Sequence, residues 1–181
     1  MIIFKDKLKE KGYIILKDWV KSIEPNFIFD YKKTYSTTHE KSIGDSWFDV
    51  VNPNEISTGS PPYSNFENGV IDIISDIYDM KDLFVISRIQ FYNNGAFIEP
   101  HTDDNEGNIV AFNIYLNNKT SKGGELIIEG RNDNKEVTYE PSFGDLVILD
   151  EKFGEANLHS VTPTYWKRFV MAGYIKQRQI I

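Results

Sequence analysis

The spacing of hydrophobic residues changes near residue 83. Between residues 66 and 80 the apolar positions recur at helical spacing, which predicts one amphipathic helix. The segment Ser64-Asn65-Phe66-Glu67 matches the capping-box pattern of a helix start. Beyond residue 83, short apolar runs are separated by turn residues such as Asn93-Asn94-Gly95, a pattern that is typical of short strands.

The C-terminal half is therefore predicted to be β structure. The predicted strands lie near residues 84–92, 97–101, 109–117, 125–128, 135–139, 145–149, 158–162 and 167–175. Because no helical pattern interrupts them, they favour an antiparallel sandwich or a jelly roll.

The N-terminal third has a mixed pattern. Residues 13–20 predict a strand, and residues 24–35 predict a short helix with Pro25 in its first turn. Residues 36–64 are polar and rich in Ser, Thr, Gly and Pro, which predicts a long functional or disordered loop. We therefore expect one mainly β domain of 181 residues, with a supporting strand and helices over 1–82 and a jelly-roll core over 83–181.

Composition narrows the class of protein. The net charge is −7 and no block of Lys or Arg stands out, so a nucleic-acid partner is not expected. The absence of cysteine excludes disulfides, thiolate metal ligands and cysteine nucleophiles. The N-terminus does not resemble a signal peptide and no apolar run is long enough to span a membrane, so we expect a soluble cytoplasmic protein. Nothing in the sequence indicates an oligomeric state.

Candidate chemistry begins with His101 and Asp103. In an extended strand, residues i and i+2 point to the same face, so this pair aims an imidazole and a carboxylate at one point. Pro100 favours an extended conformation in Glu99. Because short His-x-Asp triplets are common, the pair alone is a weak signal.

His159, at the start of another predicted strand, supplies a second imidazole. Two imidazoles and one carboxylate form the facial triad of non-haem Fe(II) oxygenases. Zinc is the alternative metal for this donor set. A zinc hydrolase would also need a general base, for which Glu99 and Asp104 are the candidates, and the helical HExxH pattern is absent.

A basic pair, Lys167-Arg168, opens the last predicted strand. Strand alternation groups Arg168 with Val170, Ala172 and Tyr174 on one face, and Lys167 lies on the other. A planar guanidinium is suited to a two-pronged contact with a carboxylate, and the small neighbours leave space beside it. The combination therefore offers a metal site and a carboxylate anchor, which are the two requirements of 2-oxoglutarate. Lys167 remains the alternative anchor.

The run from Ile86 to Tyr174 resembles the catalytic domain of Fe(II)/2-oxoglutarate dioxygenases of the prolyl 4-hydroxylase type. The matching pieces are IQFYNNGAFIEPHTD, NIYLNN, GGEL, PSFGDLVIL, LHSVTP and KRFVMAGY. In that family the basic residue usually lies slightly further beyond the second histidine than Lys167 or Arg168 does here.

This resemblance implies a double-stranded β-helix fold, that is, a cupin-like jelly roll. It implies His101, Asp103 and His159 as iron ligands and Arg168 as the anchor of 2-oxoglutarate. It also implies that Tyr92 hydrogen-bonds the 2-oxoglutarate carboxylate. Asn113, on the strand that follows the His-x-Asp loop, is a further candidate for the cavity wall, although strand packing explains it nearly as well.

The resemblance further implies Fe(II) as cofactor, 2-oxoglutarate and O₂ as co-substrates, and ascorbate as a candidate reductant. The reaction would hydroxylate an unactivated C–H bond and release succinate and CO₂. Because related halogenases lack the carboxylate ligand, Asp103 favours hydroxylation. The substrate is either a prolyl or similar residue of a peptide or protein, or a free amino acid or other small metabolite. A third hypothesis is a jelly-roll binding module without catalysis. Arg88 and Arg131 are candidate substrate contacts, as are aromatic residues in the predicted loops, namely Trp47, Phe48, Tyr63 and Trp166.

Overall fold

The computed structural model describes residues 2–104, 107–132 and 135–178. Its helices are α1 (Ile2–Lys11), α2 (Trp19–Ile23) and α3 (Tyr63–Tyr78). Its strands are β1 (Tyr13–Leu16), β2 (Thr37–Lys41), β3 (Trp47–Val51), β4 (Leu83–Tyr92), β5 (Ala96–His101), β6 (Asn108–Tyr115), β7 (Leu126–Glu129), β8 (Glu136–Tyr139), β9 (Leu146–Asp150), β10 (His159–Thr164) and β11 (Arg168–Gln177).

The described strands form two antiparallel sheets that curl around one interior. The larger sheet has the order β1-β9-β6-β11-β4-β3, and β2 pairs with β3 at its edge. The smaller sheet has the order β5-β10-β7-β8. The two are joined where Trp47 of β3 pairs with Phe97 of β5. This is the predicted jelly roll, and each strand predicted beyond residue 83 is confirmed to within two residues at each end.

The last strand separates two hydrophobic cores. Phe169 and Met171 face the helices, whereas Val170 packs into the interior between the sheets. Alternate residues of a strand point to opposite faces, so Arg168 and Tyr174 share the inner face with Val170. β11 pairs with β4 along its full length, from Arg168 opposite Tyr92 to Gln177 opposite Leu83. This long ladder fixes which side chains reach the interior.

α3 covers the outer face of the larger sheet. Its buried residues are Phe66, Val70, Ile74 and Ile77, which are four of the apolar positions that predicted the helix. The predicted capping box is wrong, because Pro62 occupies the N-cap and makes no side-chain hydrogen bond there. The Glu67 carboxylate instead accepts a hydrogen bond of 2.6 Å from the Ser87 hydroxyl of β4. Glu67 therefore makes a tertiary contact with β4 and not the predicted contact at the helix N-terminus.

The N-terminal third differs most from the prediction. The strand expected over 13–20 ends at Leu16, and the helix expected over 24–35 is absent. Phe27 and Phe29 of that segment are inserted into the core as single anchors, with ring centroids 5.1 Å from Phe66 and 4.9 Å from Phe169 respectively. The sequence pattern did not predict α1, nor the β2–β3 hairpin that lies in the expected loop.

Residues 1–82 do more than support the jelly roll. β1 pairs with β9, and β3 pairs with both β4 and β5. The single-domain organisation stays a prediction. Within the described part of the chain, no helix is both long and apolar enough to cross a membrane.

Candidate metal centre and its cavity

His101 and His159 lie directly opposite each other on neighbouring strands. They are register partners at the ends of β5 and β10, and their ring centroids are 4.3 Å apart. Asp103 follows two residues after His101, with its Oδ2 atom 3.1 Å from His159 Nε2 and its Oδ1 atom 3.6 Å from His101 Nε2. The structure therefore brings the predicted triad together, with one candidate ligand atom from each residue and all three within 4.8 Å of one another.

Backbone contacts fix the orientation of both imidazoles. His101 Nδ1 lies 2.9 Å from the Glu99 carbonyl oxygen, and His159 Nδ1 lies 3.0 Å from the Asn157 carbonyl oxygen. A carbonyl oxygen only accepts hydrogen bonds, so each Nδ1 must carry the proton. Both Nε2 atoms then face the shared point, and each can coordinate a metal ion there once it is unprotonated.

The charges of the triad suit a cation. Burial lowers the pKa of His101, and the neighbouring His159 lowers it further, so the His101 imidazole is neutral near pH 7. Burial alone would raise the pKa of Asp103, but the hydrogen bond and charge of His159 outweigh it, so this pKa lies below its usual value. Burial opposes protonation of His159, whereas the Asp103 carboxylate raises its pKa.

Two further residues hold Asp103 in place. The Tyr174 hydroxyl donates a hydrogen bond of 3.0 Å to Asp103 Oδ1. Asn108 Nδ2 donates one of 2.9 Å to the Asp103 carbonyl oxygen. The carboxylate and its backbone are thus both restrained, although Asp103 lies beyond the end of β5.

The donor set is two imidazole nitrogens and one carboxylate oxygen. These ligands fit Fe(II) in a site that keeps other coordination positions open, and they also fit zinc. Across the residues that the structure describes, this is the group of His, Asp and Glu side chains found close enough to share a metal ion.

The triad opens into a cavity of about 300 Å³ between the two sheets. Arg168 lies in this cavity and is 1% exposed. Its guanidinium carbon is 4.4 Å from the centroid of the Tyr92 ring and 5.2 Å from that of Tyr115. Arg168 Nε, Arg168 Nη1 and the Tyr115 hydroxyl are buried without a hydrogen-bond partner among the described residues.

Those orphaned donors point to an anionic ligand. A buried cation without a counter-ion is costly, and an incoming carboxylate would satisfy it. Lys167, the alternative anchor, is exposed and lines a separate surface pocket with Tyr35 and Phe169. The geometry therefore places Arg168, and not Lys167, in the cavity that the triad lines.

The sequence itself places this site within a known family. Residues 87–176 match the sequence model of the 2OG-Fe(II) oxygenase superfamily. The chain belongs to this superfamily. The matched segment contains the whole triad and Arg168. The superfamily implies an oxidoreductase that uses Fe(II), 2-oxoglutarate and O₂. A comparison with curated proteins found no match.

Solved structures show the same fold over nearly the whole oxygenase chain. A Pseudomonas putida prolyl-4-hydroxylase is 18% identical, with a TM-score of 0.66 and coverage of 98% of both chains. A Trichoplax adhaerens prolyl hydroxylase, solved with a hypoxia-inducible-factor peptide fragment, is 16% identical, with a TM-score of 0.67 and coverage of 97% of this chain and 88% of its own. The epimerase SnoN from nogalamycin biosynthesis is 12% identical, with a TM-score of 0.70 and coverage of 97% and 80% respectively.

Both further residues predicted for the oxygenase site line the cavity. Tyr92 is 1% exposed, and its hydroxyl donates a hydrogen bond of 2.9 Å to Gln90 Oε1. Asn113 lies on β6 opposite Ala172 of β11. Their roles toward a ligand stay predictions, because their position alone does not show a contact.

Tyr115 and Tyr174 also contact residues of the oxygenase site, although the sequence predicted no role for them. Both carry a signal in strand alternation, since Tyr115 is two residues beyond Asn113 and Tyr174 shares the face of Arg168. Their contacts with Arg168 and Asp103, however, cross between strands that are distant in sequence.

The four aromatic residues that were predicted to lie in loops and contact substrate lie in different environments. Phe48 is buried on β3 and stacks on Tyr92 with ring centroids 5.4 Å apart, which places it behind the cavity wall of the oxygenase. Trp47 is also on β3 and packs against His39. Tyr63 packs against Phe66 of α3, and Trp166 is buried with its Nε1 atom donating to the Gly123 carbonyl oxygen.

Proposed function

We propose that this oxygenase couples the oxidation of 2-oxoglutarate to the hydroxylation of an unactivated C–H bond. One atom of O₂ becomes the hydroxyl group of the product, and the other enters succinate as CO₂ is released. The observation that carries this proposal is the combination in one cavity of the His101-Asp103-His159 triad and the unpartnered Arg168 guanidinium.

The triad is assigned the role of Fe(II) ligands. His101 and His159 would coordinate through Nε2, because their Nδ1 atoms are committed to backbone carbonyl oxygens. Asp103 would add one carboxylate oxygen and neutralise part of the metal charge. When bound, the iron supplies the activation of O₂ that protein side chains do not provide.

Arg168 is assigned the distal carboxylate of 2-oxoglutarate. Its Nε and Nη1 atoms carry N–H donors that have no partner among the described residues, and a guanidinium can donate to both oxygens of a carboxylate. The Tyr115 hydroxyl is available as a further donor, and Tyr92 lies against the same guanidinium. Because Arg168 is buried, this contact would be little weakened by solvent or salt.

The cavity also has apolar walls that would limit the access of water to the site. Apolar side chains form part of its lining, namely Ile98, Ala111, Leu126, Val161 and Ala172. Exclusion of water strengthens the contacts made by the charged residues and limits side reactions. We also propose that ascorbate is the reductant and that the protein is located in the cytoplasm.

The substrate is proposed to be a prolyl residue of a peptide or protein, or else a free amino acid. The first choice is supported by the shared fold with prolyl hydroxylases, one of which was solved with a peptide fragment. The second is supported by a charged pair at the cavity, Arg88 and Glu40, which is described below. The complete triad and the orphaned Arg168 argue against a binding module without catalysis.

The test is conversion of 2-oxoglutarate to succinate by the purified protein with Fe(II) and ascorbate. Wild-type protein should form succinate slowly even without a second substrate, and Asp103→Ala should abolish this activity. Asp104→Ala is the matched control, because the Asp104 carboxylate accepts a hydrogen bond from Thr102 outside the triad. Equal activity of Asp103→Ala and wild type, or no activity in wild type, would contradict the assignment.

A further inference from the structure

The cavity contains a second arginine, Arg88. It lies on the inner face of β4 opposite Ala172 of β11, and Ala172 in turn pairs with Asn113 of β6. All three residues line the cavity. Since the alanine side chain is small, Arg88 and Asn113 flank a gap in the cavity wall.

Arg88 lies nearer to the opening than Arg168 does. Arg168 pairs with Tyr92 at one end of β4, whereas Arg88 is four residues away, or about 13 Å along the strand. The next inward-facing pair is Ile86 and Tyr174. Tyr174 contacts the candidate ligand Asp103, and Ile86 is 53% exposed. The Arg88 side chain, which is 44% exposed, therefore lies in the solvent-accessible part of the cavity lining.

The Arg88 side chain is held in a defined position. Its Nη1 atom donates a hydrogen bond of 2.8 Å to Glu40 Oε1, on the β2–β3 hairpin. Its guanidinium carbon lies 5.4 Å from the centroid of the Phe48 ring, which supports the plane from one side. The side chains of Arg88 and Glu40 are 44% and 36% exposed, so their ion pair adds little to stability. Fold stabilisation therefore does not account for charges placed here.

Arg88 also has hydrogen-bond donors that its contact with Glu40 does not use. A guanidinium carries five N–H donors, and the contact with Glu40 uses one of them. 2-Oxoglutarate does not meet this need in the proposed function, because one of its carboxylates is assigned to Arg168 and the 2-oxo acid end to the metal.

We propose that Arg88 and Glu40 bind the α-carboxylate and α-ammonium groups of a free amino acid, which is the primary substrate. The two groups of the protein are adjacent and opposite in charge, as are the two groups of the ligand. An internal residue of a peptide lacks both charges and would leave the pair unmatched. The amino-acid side chain then extends along the Ala172 gap towards the metal centre. This inference rests on the proposed function and selects between its two substrate classes.

The first experiment compares free L-amino acids with capped forms. Each proteinogenic L-amino acid is incubated with the oxygenase, Fe(II), ascorbate and 2-oxoglutarate, beside its α-carboxamide, its N-acetyl derivative and a peptide that contains it internally. We expect at least one free amino acid to stimulate succinate formation and to gain one oxygen atom, as read by mass spectrometry. Its capped forms and the peptide should react poorly.

The second experiment uses variants of the pair. Arg88→Ala should raise the KM of the amino acid about 10- to 100-fold, since a charge-assisted contact is lost. Arg88→Lys should recover part of the affinity, and Glu40→Gln should weaken binding of the ammonium group. Arg178→Ala is the matched control, because Arg178 is exposed beyond the end of β11 and does not line the cavity. Succinate formation without amino acid should stay unchanged in Arg178→Ala.

Binding is measured separately by thermal shift with millimolar amino acid. Stabilisation of wild type that is lost in Arg88→Ala supports the inference without requiring turnover. The inference is overturned if no free amino acid binds or stimulates turnover, if a peptide reacts as well as the free form, or if Arg178→Ala behaves like Arg88→Ala. Failure of the proposed function looks different, because wild type would then form no succinate under any condition.

Discussion

The Tyr174 hydroxyl donates a hydrogen bond to Asp103 Oδ1 while Asp103 Oδ2 lies 3.1 Å from His159 Nε2. The two carboxylate oxygens therefore have different partners. Burial raises the pKa of Tyr174 and the Asp103 charge raises it further, so the phenol stays protonated and remains a donor. Tyr174 thus restrains the direction in which Asp103 presents an oxygen to a metal.

Tyr174→Phe should weaken metal binding while leaving the fold intact. Loss of an outer hydrogen bond to a metal ligand typically costs about 10- to 100-fold in affinity or activity. The measurement is the dissociation constant of Mn(II), followed by calorimetric titration. Tyr165→Phe, at an exposed tyrosine, is the control. Unchanged affinity in Tyr174→Phe would show that Asp103 is oriented by its backbone alone.

Arg168→Met should remove the response to 2-oxoglutarate. We expect the co-substrate to raise the melting temperature of wild type in the presence of Mn(II), because a ligand of the native state stabilises it. The variant should show little shift, yet without ligand it should be at least as stable, since a buried unpaired charge is replaced by an apolar side chain. Lys167→Ala should keep the wild-type response, and a loss of response there would move the anchor to Lys167.

Glu125→Gln should change how the free energy of unfolding depends on pH. Burial raises the pKa of Glu125, but the Lys119 ammonium and the Thr162 hydroxyl outweigh this effect and hold it at about 2. A carboxyl whose folded pKa is depressed stabilises the fold above its unfolded pKa, and this contribution is lost as pH falls towards 2.

Urea unfolding at about pH 5 and pH 3 measures the effect of Glu125→Gln. The free energy of unfolding of wild type should fall by about 1 kcal/mol more than that of the variant, because solvent screens part of this ion pair. Parallel losses in the two proteins would mean that the Lys119 pair contributes nothing measurable.

Leu8→Ala should destabilise the protein even though α1 is remote from the cavity. Leu8 is fully buried in the core between the helices and the larger sheet. Truncation of a buried leucine costs about 2–5 kcal/mol in the free energy of unfolding. Chemical denaturation provides the value, and Lys7→Ala, on the exposed side of α1, should change it little. A small effect at Leu8 would indicate that α1 is not part of the cooperative fold.

The local sequence pattern was sufficient to predict the strands beyond residue 83 and the face of β11 that carries the site residues. Period-two alternation placed Arg168 and Tyr174 on one face of β11 and Phe169 on the other, as the structure has them. The His-x-Asp spacing likewise predicted one convergent point for two side chains. These features depend on neighbours in sequence, so the chain alone reveals them.

The remaining features depend on tertiary pairing. Nothing near Tyr115 in the sequence indicates that its hydroxyl will be buried beside Arg168, because β6 and β11 pair across a long separation. The segment 24–35 has the apolar content of a helix, yet Phe27 and Phe29 pack individually into the core. The short α1 lacks a strong apolar stripe, and its burial rests chiefly on Leu8.

Because His101 and His159 pair directly across β5 and β10, a bound metal ion would affect the stability of the smaller sheet. The β5–β10 ladder is irregular, with register shifts on both sides of Val161, whereas β11 and β4 pair without interruption. A metal ion held by both imidazoles would cross-link β5 to β10 at the end of this weak ladder. Chelation should therefore accelerate amide hydrogen exchange in residues 159–164 and leave 83–92 protected. The ion would then stabilise the pairing of β5 with β10 in addition to its role in the reaction.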